Sequence, residues 1–445
     1  MTSTDSQGDT APADTPAPAS AGPPTPPART GAPSFVRALQ HRNYRLFFTG
    51  QLISLIGTWM QSVAQAWLVY RLTGSELLLG LVTFCQQIPV FLLAAVGGTV
   101  ADRVSRRGIM VCTQSIAMVQ ALVLAVQTLT HTVQVWEIFL LALVLGLVNS
   151  FDVPSRQALS VDMVGKADLQ NAIALNSSIF NGARMVGPAI AGLLVAAVGE
   201  GWCFFLNGVS YVAVIAGLLM MRLKPGAVAR RKASILENVR EGVRYIRQTQ
   251  PVAMLLLMLG VASLMGMPYQ VLMPIFAQGV LHSGPSGLGL LMSCAGVGAL
   301  GAAISLATRL QVRGLEVWIG RAAVSFGLAL IAFALSRWLW LSCLLLVGVG
   351  YSMMTQMASS NTLIQVMVPD HLRGRVMAAY SMMLMGMAPF GALLAGALAQ
   401  HIGTPMTVAL GGGLCMLSGL AFWRGLARFR SQSGALLAPE PSAAD

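Results

Sequence analysis

Between Val252 and Ala307 the chain passes without one Lys, Arg, Asp or Glu, and between Leu77 and Ala101 it does so again. Crossing the hydrocarbon core of a bilayer takes about 20 apolar residues. The run from 252 to 307 therefore suits two crossings, with a break near His282 to Ser286. The same reading gives twelve apolar segments: 46–70, 78–101, 108–130, 137–155, 172–198, 202–222, 252–276, 286–308, 316–335, 338–360, 374–400 and 404–424. A lipid-exposed backbone has no water to bond with and must satisfy its own polar groups, so these segments are expected to be helices. A barrel would show shorter, alternating segments instead. The expected fold class is an all-α membrane protein with twelve transmembrane helices. Composition agrees: 10% of residues are charged, against about 25% in soluble domains.

The formal net charge of +12, from 28 Lys+Arg against 16 Asp+Glu, falls between the apolar segments. It reads as orientation in the membrane, since Lys and Arg accumulate in cytoplasmic loops. Arg37, Arg42 and Arg45 precede segment 1. Arg103, Arg106 and Arg107 follow segment 2, Arg156 and Lys166 follow segment 4, and Arg309, Arg313, Arg373 and Arg375 lie in later even-numbered connections. The central connection carries Arg222, Lys224, Arg230, Arg231, Lys232, Arg240, Arg244 and Arg247, and the C-terminal flank Arg424, Arg428 and Arg430. The other side has only Arg71 and Arg337. Both termini and the central connection are thus expected in the cytoplasm of a bacterial cell, with the chain in its inner membrane. Nucleic-acid binding is not expected, because no basic stripe is interleaved with aromatics.

Five regions follow. Residues 1–34, rich in Pro, Ala, Thr and Gly, are expected to form a disordered cytoplasmic tail. Residues 35–222 hold the first six segments and 251–425 the second six. Residues 223–250 link them, and 426–445 form a C-terminal tail. Within the linker, Ser234-x-x-Glu237 has the form of a capping box, and Ile235, Leu236, Val239, Val243 and Ile246 recur at helical spacing. The helix they define lies either on the cytoplasmic membrane surface or packed on the protein. The six cysteines, among them Cys85, Cys203 and Cys415, fall in apolar segments with no CxxC spacing, and read as packing residues.

The two halves repeat at an offset of about 205 residues. Gly182, Gly187 and Gly192 in segment 5 match Gly386, Gly391 and Gly396 in segment 11, and Arg103-x-x-x-Arg107-Gly108 matches Arg309-x-x-x-Arg313-Gly314. Two pseudo-symmetric six-helix bundles are expected, with a substrate site between them near mid-membrane.

Two stretches carry a family resemblance. Gly98-Thr-Val-Ala-Asp102-Arg103-Val-Ser-Arg106-Arg107 resembles the loop between helices 2 and 3 of the major facilitator superfamily. Asn149-Ser-Phe-Asp152-Val-Pro154-Ser-Arg156-Gln157, with Asn181-Gly-Ala-Arg184-Met-Val-Gly187-Pro188, resembles the branch of the bacterial enterobactin exporter and related drug and macrolide efflux proteins. The resemblance covers residues 35 to 425. It implies gating roles for Asp102, which would cap a helix such as segment 11, and for Arg103 and Arg107, which would pair with acids such as Asp162. Gly187-Pro188 resembles the Gly-Pro element of antiporter helix 5. The arginine that proton-coupled drug exporters carry on helix 4 is replaced here by the Leu141-Ala142-Leu143 region.

Ionisable groups within membrane segments are costly and usually functional. Arg184 lies in an otherwise apolar segment 5; Asp152 and Arg156 are four apart on segment 4, with Asn149 on the same face. An Arg184–Asp152 pair is expected, as a gate, an anion site or a structural tie. Gln61 and Gln65, Tyr269, Gln270 and Gln356 are candidates to line the pathway. The alternative for each is a hydrogen bond between helices. No Ser/His/Asp, HExxH or paired-carboxylate site appears, so an enzyme is not expected, and neither a cofactor nor a metal is implied. With no GxxxxGK[ST] in the chain, ATP hydrolysis is not expected. The reading is a monomeric secondary transporter that exports a small amphipathic molecule, a siderophore or a drug, with protons as the coupling ion. Uptake of a small solute on the same fold is the alternative.

Overall fold

The computed structural model describes residues 34–165, 167–222, 235–308 and 314–437. Twelve helices are long and apolar enough to span a membrane. They are α1 (Arg42–Thr73), α2 (Glu76–Ala101), α3 (Arg106–Leu129), α4 (Val135–Val164), α5 (Leu169–Val198), α6 (Glu200–Met220), α7 (Gln250–Val280), α8 (Gly284–Ala307), α9 (Leu315–Leu335), α10 (Leu339–Met367), α11 (Asp370–Ile402) and α12 (Thr404–Arg424). No strand occurs among the described residues. The ends run past the apolar segments where polar residues still favour helix. α4 continues through Arg156, Gln157 and Asp162, and α10 through Asn361 and Gln365.

Large apolar side chains face outward along most helices, including Leu193, Leu257, Leu335 and Leu344. Trp136, Trp338 and Trp340 are 63%, 73% and 79% exposed at the starts of α4 and α10. In water this surface would aggregate; in a bilayer, indole rings at helix ends sit at the interface with the headgroups. The protein is a multi-pass membrane protein.

The pseudo-symmetry is written in the helix pairing. In the first half α1 packs on α5 and α6, α2 on α4, and α3 on α4 and α6. In the second half α7 packs on α11 and α12, α8 on α10, and α9 on α10 and α12. The halves meet where α2 packs on α11 and α5 on α8. The glycine repeat explains how. Gly187 lies against Trp59 and Ile56 of α1, as Gly391 lies against Leu264 and Pro268 of α7. Gly192 meets Gly289 of α8 across the halves, as Gly396 meets Gly80 of α2. The turns that follow are also paired: Gly199 and Gly403 have φ of 90° and 83°, a region that side chains with a Cβ rarely adopt. Gly182 touches nothing across its helix, whereas Gly386 abuts Phe91, so the outer pair of the repeat is not equivalent.

The linker joins α6 to α7 on one face of the bundle, which we call the linker face; the α1–α2 and α5–α6 turns lie on the far face. Contacts between halves run from the far face to the middle. They extend from Leu77 and Gly80 against Gly396 and Ala392 to Phe91 against Phe390 and Gly386, and from Pro285 to Gly296 along α5. Nearer the linker face, a hollow of about 180 Å³ is walled by α1, α4 and α5 alone, including Gln51, Arg156, Asn176 and Phe180. No residue of the second half enters the wall of this hollow.

The linker helix, Ile235–Gln248, packs on the start of α11. Glu241 pairs with Arg375 at 2.7 Å, Gly242 lies against Arg375, and Tyr245 and Ile246 join the apolar cluster of the second half. Arg240, Arg244 and Arg247 remain exposed. Of the two placements open from sequence, the helix takes the one on the protein. Ser234 and the side chain of Glu237, the proposed capping box, lie outside the described residues, as do Arg309 and Arg313, the second copy of the basic repeat.

Unlike α1 and α5, their counterparts in the second half are interrupted. α7 contains π turns at Ala262–Gly266 and Phe276–Val280, with a 3-10 turn at Met267–Gln270 between them. α11 has a π turn at Met382–Gly386. Pro268, Pro274 and Pro389 each remove a backbone donor, which displaces the ladder of helix hydrogen bonds. The two interruptions touch, since the Ser263 hydroxyl donates to the Leu384 carbonyl at 2.6 Å.

Candidate functional site

A cavity of about 330 Å³ lies between the halves, at the small end of the range for small-molecule sites. Its walls come from both: α1, α2 and α4 on one side, α7, α8 and α11 on the other. The polar groups are neutral. Gln65, Gln86, Gln87 and Asn149 enter from the first half and Gln270 and Ser263 from the second, set among Trp59, Val82, Met267 and Met292. No acidic or basic side chain lines it.

Behind the cavity is a smaller chamber, with room for about one water molecule, bounded by Arg184, Tyr269, Pro188, Met273 and Ala295. Trp59, Gln270 and Met292 belong to both spaces and form the partition between them. Arg184 sits midway along the 30-residue α5. Its guanidinium carbon lies 5.8 Å from the centre of the Trp59 ring, within cation–π range. Beside it, Gln270 donates to the Tyr269 hydroxyl at 3.4 Å. No carboxylate among the described residues pairs with Arg184. The expected Arg184–Asp152 pair is not formed.

Asp152 has other partners. Its carboxylate is 1% exposed and accepts from the Thr113 hydroxyl at 2.9 Å and the Gln114 amide at 2.8 Å. On its other oxygen it binds Arg156, one turn further along α4. Arg156 also donates to Gln51 of α1 at 3.0 Å. This cluster ties α1, α3 and α4 together beside the hollow that opens on the linker face. Side chains four apart on a helix are adjacent before any tertiary structure forms, so Arg156 had the advantage over Arg184.

The loop after α2 also departs from expectation. Asp102 caps no part of α11; it is 60% exposed, with Arg106 at 3.8 Å. Asp162 is paired, but with Arg106 at 2.8 Å and not with Arg103 or Arg107. Arg107 donates to the carbonyls of Leu219 and Met221 at the end of α6. Arg103 has no such contact among the described residues. All of these contacts stay inside the first half.

Of the glutamines, Gln65 and Gln270 line the cavity. Gln61 does not: it donates to Gln120 of α3 at 3.1 Å and accepts from Asn207 of α6 at 2.7 Å, so it is an interhelical tie. Gln356 is buried in the second half, away from the cavity. Sequence reasoning missed Gln86, Gln87 and Trp59. The signal for the first two was two adjacent amides inside the uncharged run from Leu77 to Ala101.

Comparison with known proteins agrees with the architecture. A family model described as "transmembrane secretion effector" matches residues 34–439. The staphyloferrin A transporter of Staphylococcus aureus is 24% identical over 83% of this chain and 92% of its own. The multidrug efflux pump Tap of Mycolicibacterium fortuitum is 25% identical over 79% of this chain and 88% of its own. In fold, the chain resembles the nucleoside transporter NupG with a TM-score of 0.70 at 14% identity, covering 87% of this chain and 99% of that one.

Proposed function

The chain belongs to the transmembrane secretion effector family, within the major facilitator superfamily, and from that membership we propose that it exports a small amphipathic molecule from the bacterial cytoplasm by alternating access. The observation that carries this reading is the cavity walled by both halves at mid-depth, with a second hollow in the first half nearer the linker face. The linker face holds Arg42, Arg45, Arg103, Arg106, Arg107, Arg222, Arg375 and Arg424, whereas the far face has Arg71 and Arg337. By the positive-inside rule the linker face and both termini are cytoplasmic, in the inner membrane. A cavity reached from the cytoplasm admits an intracellular substrate. Rocking about the α2–α11 and α5–α8 contacts would then close that side and part the far face.

Relatives named as a staphyloferrin A transporter and a multidrug pump support a substrate of siderophore or drug type. The amide and indole lining suits a ligand with hydroxyl or carbonyl groups on an aromatic or apolar frame. Asp152 is the acid through which proton motive force is transmitted, since it is buried and its ion-pair partner Arg156 lines the cytoplasmic hollow. The transporter acts as a monomer. In cells, deletion of the gene is expected to raise retention of siderophores or drugs several-fold, and restored expression to reverse it. Higher accumulation on expression would instead make the protein an importer.

A further inference from the structure

We infer that Arg184 is an anion-recognition group, and that the exported molecule carries a carboxylate or an equivalent ionised oxygen acid. This rests on the export reading above and adds the charge of its substrate.

The argument is one of electrostatic balance. A guanidinium placed midway along a membrane helix is expensive unless paired. Arg71, Arg106, Arg156, Arg373, Arg375 and Arg430 each reach a carboxylate; Arg184, which lines the chamber between the halves, does not, and neither does Arg321, which is exposed on α9 with its guanidinium 6.0 Å from the Trp423 ring. The compensation for Arg184 is the face of Trp59, which is weaker than an ion pair and leaves its five donors largely unused. Around it, the chamber and the cavity hold no second charge of either sign. A cationic guest would meet a fixed positive charge with no acid to offset it. An anionic guest would supply the missing partner.

Geometry makes the partnership reachable. Only Trp59, Gln270 and Met292 separate the chamber from the cavity. Gln270 is already joined to Tyr269, so an amide donor and a phenol flank the guanidinium. Met292 is a flexible thioether that yields to an entering group. An arginine fork with two neighbouring donors is suited to the two oxygens of a carboxylate. The site also lies against the α5–α8 contact, where Gly296 abuts Met185 and the Arg184 carbonyl. Neutralising Arg184 therefore changes the charge at the seam between the halves.

The test uses the full chain purified in lipid nanodiscs, and matched acid and amide probes: salicylate against salicylamide, and succinate against succinamide. Binding is read from the thermal shift and from tryptophan fluorescence, with Trp59 the one of the eight tryptophans that lines the chamber. The acids are expected to bind at least tenfold more tightly than their amides. Arg184→Gln is expected to abolish that preference, and Arg184→Lys to keep part of it. Met292→Ala, which widens the partition, is expected to strengthen binding of the acids and not of the amides. Equal binding of acid and amide, or an acid preference that survives Arg184→Gln, overturns the inference. Retention assays separate it from the reading beneath it. Cells that export amides and acids alike sink the anion site alone. Arg184-dependent acid binding without any export sinks the transport reading and leaves the site standing.

Discussion

Replacing Gly350 with alanine is expected to remove most of the folded protein from the membrane. A methyl group at this position would overlap the Ala295 carbonyl oxygen, and the methyl of Gly298→Ala would overlap the Val347 carbonyl oxygen. Both obstacles are backbone, so neither can turn aside. α10 would have to leave α8, and with it the packing that α8 provides for the contact between the halves. In lipid, helices associate through close packing of small residues and not by escaping water. Overpacking of this kind costs about 3 kcal/mol. The control is Gly413→Ala, in the middle of α12, where a Cβ meets nothing within 4 Å; it is expected to be neutral or to add up to about 1 kcal/mol through helix propensity. Detergent-extracted fusions to a fluorescent protein, run by size exclusion and then heated, report both yield and midpoint. Equal midpoints for the Gly350 variant and wild type would show that α8 and α10 are not in contact as described.

The second large effect concerns Asp152. Asp152→Leu leaves Arg156 with Gln51 as its remaining side-chain acceptor, takes the acceptor from the Gln114 amide, and leaves Thr113 with the Met110 carbonyl alone. Breaking a buried pair by removing one partner costs about 3 kcal/mol, and replacing both with apolar residues of similar volume is often neutral. Arg156→Leu added to Asp152→Leu is thus expected to restore most of the lost thermal stability. Export is expected to behave differently. If Asp152 carries the proton, the double variant stays folded and fails to expel substrate against a gradient. Normal export by the stable double variant would remove Asp152 from the coupling mechanism and leave it as a tie between helices.

How much of this was legible depended on the range of the interaction. The spans were readable because lipid imposes a length on every uncharged run, and the linker-face arginines because orientation is a property of loops. The glycine repeat could be read because close approach demands a missing side chain at the same place in both halves. Partners across the bundle were not readable. Arg184 and Asp152 sit on different helices whose rotation the sequence does not state, whereas Asp152 and Arg156 are neighbours on one helix. Gln61 and Gln65 are likewise four apart on α1, yet α1 is enclosed on several sides, so one turns to α3 and α6 and the other to the cavity. The interruptions of α7 were hinted at by Pro268 and Pro274. That the break takes π form and touches α11 through Ser263 depends on tertiary contacts. Gln86 and Gln87 were visible as an oddity in an apolar run, but their direction was set by α2 meeting α11.

The central claim is that the halves rock about the cavity. Paired spin labels test it most directly, one pair at Thr73 and Val280 on the far face and another at Val104 and Thr308 on the linker face. Distances are measured in nanodiscs with and without an exported substrate. The expected result is a reciprocal change: the far-face pair separates as the linker-face pair closes. Both pairs holding their distances while substrate is bound and transported, or both widening together, would contradict it.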